Sequence, residues 1–234
     1  MISTYTEQEV EFCAIETNYL KKLLFAAQFS ENPSIYVYNY DFEIQKIIRN
    51  VCTLEISDIR YDMYNNYLYV FCGCPEYEMK IIDLNTDQIL EYNTNPIRIS
   101  NEFVSMNFKP DNGNIFVCLQ KHSIDVFSIK KIGLKNTEED NIRLKVDYHM
   151  KNIPTNSLET IVSEDDEFTS FLWFDEETLC LSTKLGHVLF VNVADFHIKQ
   201  SFKLAGAASQ LLLNNKYLIV IENHRYIQKS IKIV

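Results

Sequence analysis

Glycine and proline are scarce, with five of each in 234 residues, and tryptophan occurs once. Nearly half of the residues are hydrophobic (47%), so the chain has ample material for a core and extended disorder is excluded. No apolar run approaches the ~18 residues that a membrane-spanning helix needs, and the opening MISTYTEQEV has no signal-peptide pattern. The six cysteines, Cys13, Cys52, Cys72, Cys74, Cys118 and Cys180, lie mostly within apolar strand patterns. Reduced, buried thiols in a soluble, intracellular protein are therefore expected. Positive charge is also short. Lys and Arg total 22 against 32 Asp and Glu, giving a formal net charge of −10, and no face is basic in sequence. Nucleic acid and anionic membranes are thus disfavoured as partners, and other proteins are favoured. No stretch holds a 3.6-residue apolar period over a dozen residues, which disfavours an α/β sheet.

What the chain does have is aromatic residues, 14 Tyr and 15 Phe, in short runs that suit pleated surfaces. The clearest run is CPEYEMKIIDLNTDQIL, from Cys74 to Leu90. Apolar residues at Met79, Ile81 and Leu84 lead into a tight Asn85-Thr86-Asp87 turn, and Gln88-Ile89-Leu90 starts the next strand, as in a hairpin. The pattern returns in SIYVYNYDFEIQKI from Ser34, SIDVFSIKK from Ser123 and HVLFVNVADFHIKQ from His187. Matching Ile35, Met79, Ile124 and Val188 gives intervals of 44, 45 and 64 residues, the last enlarged by polar insertions. Propeller blades, each a four-stranded antiparallel sheet, repeat at roughly 40 to 45 residues.

The expected fold is therefore all-β, a WD40-like β-propeller with about four and a half blades, forming part of a seven-bladed ring. Its blades are assigned to residues 8–50, 51–95, 96–150, 166–205 and 206–234, with polar loop insertions at 133–141 and 151–167. The first strand is expected at Val10 to Ile15 with a turn at Glu16-Thr17-Asn18-Tyr19, and a turn is expected over Lys109 to Asn114.

Three segments, PSIYVYNYDFEIQKI (Pro33 to Ile47), CPEYEMKIIDLNTDQIL, and VSMNFKPDNGNIFVCLQKHSIDVFSI (Val104 to Ile129), resemble the first propeller of the WD-repeat cilia- and flagella-associated proteins that form the tether of an inner dynein arm. FLWFDEETLCLSTKLGHVLFVNVADF, from Phe171 to Phe196, is similar to a further strand pair of that family. Cys74 and Tyr77 stand where the family has Leu and Phe, and no Trp-Asp dipeptide closes any strand. The resemblance implies a non-catalytic axonemal scaffold. Its implied partners are a sister WD-repeat protein, dynein arm subunits and, indirectly, the doublet microtubule. The alternative within the class is a WD-repeat scaffold of a trafficking or intraflagellar-transport complex.

No arrangement of residues points to catalysis, a cofactor or a metal. Cys72-Gly73-Cys74 is too closely spaced for a zinc knuckle and lacks a second Cys/His pair. No histidine lies in a G-x-S-x-G context. A phosphoinositide-binding propeller would carry an Arg-Arg pair, and none occurs. In WD repeats a Gly-His pair can join a Ser/Thr-His-Trp-Asp hydrogen-bond network, but Gly186-His187 has no accompanying Trp-Asp and reads as an ordinary turn. The acidic run Glu164, Asp165, Asp166 and Glu167 lacks calcium-loop spacing and reads as a solvated loop able to dock a basic segment. Trp173, the sole Trp, is expected to pack between blades, or at a rim to anchor a partner, and with the turn residues Pro75, Glu76 and Tyr77 it joins the acidic run as a candidate partner-binding residue.

Overall fold

Every regular element of the computed structural model is a β-strand among the residues it describes, which are 11–62, 64, 66–90, 102–110, 112–133, 142–149, 165–214, 217–222 and 229–232. The chain divides into two units, one of residues 1–91 with 95–101 and one of 92–94 with 102–234. Each is taken by itself.

The first unit holds two four-stranded sheets. β1 (Phe12–Asn18), β2 (Leu23–Gln28), β3 (Ile35–Asn39) and β4 (Ile44–Ile48) lie side by side in chain order, and so do β5 (Ile56–Asp62), β6 (Tyr67–Cys72), β7 (Glu78–Asp83) and β8 (Gln88–Ile89). The second unit holds β9 (Phe103–Lys109), β10 (Asn112–Gln120), β11 (Ile124–Gly133) and β12 (Ile142–His149), then β13 (Phe168–Trp173), β14 (Thr178–Thr183), β15 (His187–Asn192) and β16 (Ile198–Lys203). A three-stranded sheet follows, made of β17 (Ala208–Asn214), β18 (Tyr217–Glu222) and β19 (Lys229–Lys232). All pairs are antiparallel neighbours in sequence.

Burial follows strand position within a sheet. β6 (YLYVFC) and β14 (TLCLST) are buried at every residue, which requires cover on both faces and explains why they read as continuous runs rather than alternating ones. β4 (IQKII) and β16 (IKQSFK), the fourth strands, are mostly exposed or half-buried. In the first unit Phe25, Ile35 and Val37 of one sheet pack with Ile59, Leu68 and Val70 of the next, and Phe25 stacks on Tyr61 with ring centroids 5.6 Å apart. In the second unit Val117 and Leu119 pack with Phe171, Leu179 and Leu189, and Leu172 and Val188 with Leu211 and Val220. First strands lie beside first strands: β1 against β5, β9 against β13, and β13 against β17.

Two boundaries differ from expectation. β1 runs on to Asn18, because Glu16, Thr17 and Asn18 pair with Phe25, Leu24 and Leu23. Asn18 Oδ1 then accepts the Lys21 N–H at 3.0 Å and closes the turn one step later. β10 starts at Asn112, inside the expected turn, and its pairing with β9 shifts register before Phe116. Of the expected insertions, only Gly133, at the end of β11, and residues 165–167 fall among the described residues.

With few glycines available, side-chain-bearing residues fill the left-handed positions of the turns. Lys22, Phe42, Asn66, Asp87 and Phe196, each at or near the close of a hairpin turn, have φ of 53°, 61°, 59°, 64° and 61°. Asn and Asp tolerate this region through local hydrogen bonds, whereas a bulky side chain there costs roughly 1–2 kcal/mol.

Candidate partner-binding turns

In an antiparallel meander, alternate turns emerge at the same end of the strands. In the first unit the turns β1–β2, β3–β4, β5–β6 and β7–β8 therefore share one end, and the turns β2–β3 and β6–β7 share the other with the β4–β5 connection.

The first of these ends carries Tyr19, Leu20, Tyr40, Phe42 and Tyr64, all exposed. Hydrogen bonds tie three of its turns together. Lys21 Nζ donates to Asn66 Oδ1 at 2.6 Å, and Asn66 Nδ2 donates to Asn85 Oδ1 at 2.7 Å. The β3–β4 turn is built by Asn39, whose Oδ1 accepts the N–H groups of Asp41 (3.0 Å) and Glu43 (2.9 Å). Phe42 closes that turn with a left-handed backbone whose N–H donates to Asn39 O at 3.1 Å, and the residue is 75% exposed. Phe196 has the same backbone, but its ring packs against the core of the second unit, which offsets the strain. No such offset exists for Phe42 among the described residues.

At the opposite end of the first unit lies the β6–β7 turn, where the Cys74–Pro75 peptide is cis and Tyr77 has φ 46°. Gly73 N–H donates to Glu55 O and Tyr77 N–H to Gly73 O, both at 2.9 Å. A Cβ on Gly73 would stand 2.5 Å from Ser57 Oγ, so this glycine permits a close approach. Glu76 Oε1 accepts the Thr53 N–H at 2.7 Å and the Thr53 hydroxyl, stapling the turn to the β4–β5 connection. Burial opposes ionisation of Glu76, but these hydrogen bonds outweigh it and hold the carboxyl below its usual range. The neighbouring Cys74 thiol pushes the Tyr77 phenol up. Pro75 is exposed, and Glu76 and Tyr77 are half-buried.

In the second unit, two of the sequence candidates are buried. Asp166 is not part of a solvated docking run. It is 0% exposed, and its carboxylate accepts the N–H of Glu167 (Oδ1, 3.0 Å), the N–H of Leu185 (Oδ1, 2.8 Å) and His187 Nδ1 (Oδ2, 3.0 Å). Thr183 Oγ1 accepts the His187 N–H at 3.0 Å, so His187 belongs to a network that fixes the β14–β15 turn and is more than an ordinary turn residue. Trp173 packs between sheets, the first of its two expected places, and not at a rim. It is 6% exposed within the core of the second unit, and its buried indole N–H has no partner among the described residues. Glu167 stands between Lys184 (3.4 Å) and Lys121 (3.9 Å), Asp165 is exposed, and Glu164 lies outside the described residues. Among the described residues no group of three or more His, Cys, Asp or Glu is placed to hold a metal ion.

Sequence reasoning missed Phe42 and its neighbours. The available signal was an aromatic residue inside a four-residue polar turn, Tyr40-Asp41-Phe42-Glu43, where a hairpin would ordinarily use Gly or Asn.

The sheets superpose on the β-propeller domain of Cps50 (Swd1) from Myceliophteria thermophila with a TM-score of 0.66 at 14% identity, over 94% of this chain and 64% of that one. The fold is a β-propeller. No family model matches the sequence. Over 106 residues, 41% of the chain, it is 27% identical to the putative BTB/POZ domain-containing protein L788 of Acanthamoeba polyphaga mimivirus. The match spans 20% of that viral protein, and the chain spans less than two thirds of the solved propeller.

Proposed function

We propose that this propeller is a non-catalytic protein-interaction platform whose partner docks on the turns that carry Tyr19, Leu20, Tyr40, Phe42 and Tyr64. The observation that carries the reading is Phe42, a bulky residue held in a left-handed turn and 75% exposed. Backbone strain that no local packing offsets is found preferentially at functional positions. Clustered, exposed aromatic residues on a rigid support are the usual anchors of a protein interface. Lys21 and Lys22 lie in the same cluster of turns, so lysine cross-linking of the intact chain to its bound proteins tests the reading. Cross-links from these two lysines are expected, and bound proteins that cross-link only elsewhere would contradict it.

A finer proposal places the platform in the axoneme as part of an inner dynein arm tether, with the sister propeller protein, dynein subunits and the doublet microtubule as its surroundings. Its support is the resemblance at residues 33–47, 74–90, 104–129 and 171–196. A tagged chain retained in salt-washed axonemes of ciliated cells is the expected outcome. A chain that stays in the cytosol of those cells would return the assignment to a scaffold of another multiprotein complex.

A further inference from the structure

The sequence motif Cys72-Gly73-Cys74 suggests that its two thiols belong together, but the fold separates them. Cys72 is buried at the end of β6, and Cys74 is exposed in the following turn. The neighbour of Cys72 is Cys52, in the connection before β5. Cys52 Sγ donates to Glu55 O at 3.2 Å, and the Gly73 N–H donates to the same oxygen at 2.9 Å. One carbonyl thus holds the thiol of Cys52 and the backbone that follows Cys72. Cys72 Sγ stands 4.0 Å from the carbonyl oxygen of Val51, the residue that precedes Cys52, so both thiols sit at one corner of the sheet. Lys80 Nζ, 2.6 Å from the same Val51 oxygen, brings a positive charge to the pair.

We propose that Cys52 and Cys72 form a dithiol that a hydroperoxide oxidises to an intramolecular disulfide. The two sulfurs have unequal roles. Cys52 is drawn below the ordinary thiol range, chiefly by the neighbouring Cys72 thiol and further by Lys80, with burial acting against it. Cys72, fully buried beside the Cys52 thiol, is pushed up. Cys52, 6% exposed against 0% for Cys72, is the sulfur a peroxide reaches first, and Cys72 resolves.

In the first step the Cys52 sulfur attacks one peroxide oxygen. The O–O bond breaks, an alcohol or water leaves, and Cys52 becomes the sulfenic acid. In the second step the Cys72 sulfur, losing its proton, attacks the Cys52 sulfur. The hydroxyl leaves as water and the S–S bond forms. Two thiols and one hydroperoxide give one disulfide, one alcohol and one water. The bridge would tie the β4–β5 connection to the end of β6, at the corner where Glu76 already holds Thr53.

Cys13 is the neighbouring rival, since its Sγ donates to Ile56 O at 2.9 Å. Cys180, buried in the second unit, is pushed up by desolvation and should stay inert. The test treats the reduced, purified full chain with hydrogen peroxide, alkylates the remaining thiols under denaturing conditions and maps the peptides. The expected result is a loss of two of the six thiols, a peptide pair linked through Cys52 and Cys72, and its reversal by dithiothreitol. Cys74→Ser should leave the link intact, and Cys52→Ser should prevent it. A Cys13–Cys52 link, a Cys52 sulfinic acid without a link, or full alkylation of both residues after peroxide treatment would overturn the proposal. The decisive readout is on the unsubstituted chain and does not depend on a variant that folds.

Discussion

Replacing Asp166 by alanine removes an acceptor on which three donors converge. The Leu185 N–H (2.8 Å), the Glu167 N–H (3.0 Å) and His187 Nδ1 (3.0 Å) all lose their partner at a site that is 0% exposed. A hydrogen bond to a charged group contributes about 1.5–3 kcal/mol, and an abandoned buried donor costs about 1–3 kcal/mol. Leu185 is exposed and Glu167 half-buried, so water can rehydrate part of what is lost. A total near 3–4 kcal/mol is therefore expected for Asp166→Ala. For a chain of this size that lowers the melting temperature by roughly 10 °C. Asp166→Asn keeps an oxygen for the two backbone donors and changes only the His187 contact, so about 1 kcal/mol is expected. Chemical denaturation of Asp166→Ala, His187→Ala and the double variant should give a coupling of about 1 kcal/mol or more between the pair. If Asp166→Ala costs less than about 1 kcal/mol, the carboxylate does not hold the turn and the reasoning fails.

Gly186 has φ 87°, and a Cβ there would lie 2.4 Å from Gly206 O, a backbone atom that cannot swing away. Gly186→Ala should thus destabilise by about 3 kcal/mol in urea melts, whereas Gly73→Ala, which meets only flexible side-chain ends, should cost less. Phe42→Gly relieves a left-handed phenylalanine but loosens the unfolded chain, so its stability should stay within about 1 kcal/mol of the parent by thermal unfolding. Glu16 is pushed up by burial, with the Thr17 N–H and Arg60 acting against it. Because its folded pKa lies above the unfolded value, ionisation disfavours the native state at neutral pH, and that penalty fades as pH falls through the folded pKa. Glu16→Gln should therefore stabilise at pH 7 and lose its advantage in acid, read from melting temperatures across pH.

The repeat and the hairpins were legible because side-chain alternation and turn chemistry are local. The run MKIIDLNTDQI becomes β7, an Asx turn in which Asp83 Oδ1 accepts the Asn85 N–H at 2.8 Å, and β8. The extent of β1 was less legible, since Glu16, Thr17 and Asn18 read as a turn until their pairing with β2 is known. Sites were harder still. Asp166 looked solvated because its neighbours are acidic, and its burial depends on the β14–β15 turn some 20 residues later. Trp173 was legible as a residue packed between blades, but its partners in the preceding sheet were not. The Cys52–Cys72 pair is set by the β5–β6 register and has no trace in local spacing. Phe42 stands out only through its backbone angle together with its exposure.

The most direct test of the interaction-platform account compares the parent chain with Phe42→Gly in quantitative affinity purification from the cells that make it, followed by titration of the recovered partner. A ring that anchors an interface contributes about 2 kcal/mol or more, equivalent to roughly 30-fold in Kd. The account predicts a loss of that size at an unchanged melting temperature. Equal affinity of the two chains for the same partner would contradict it.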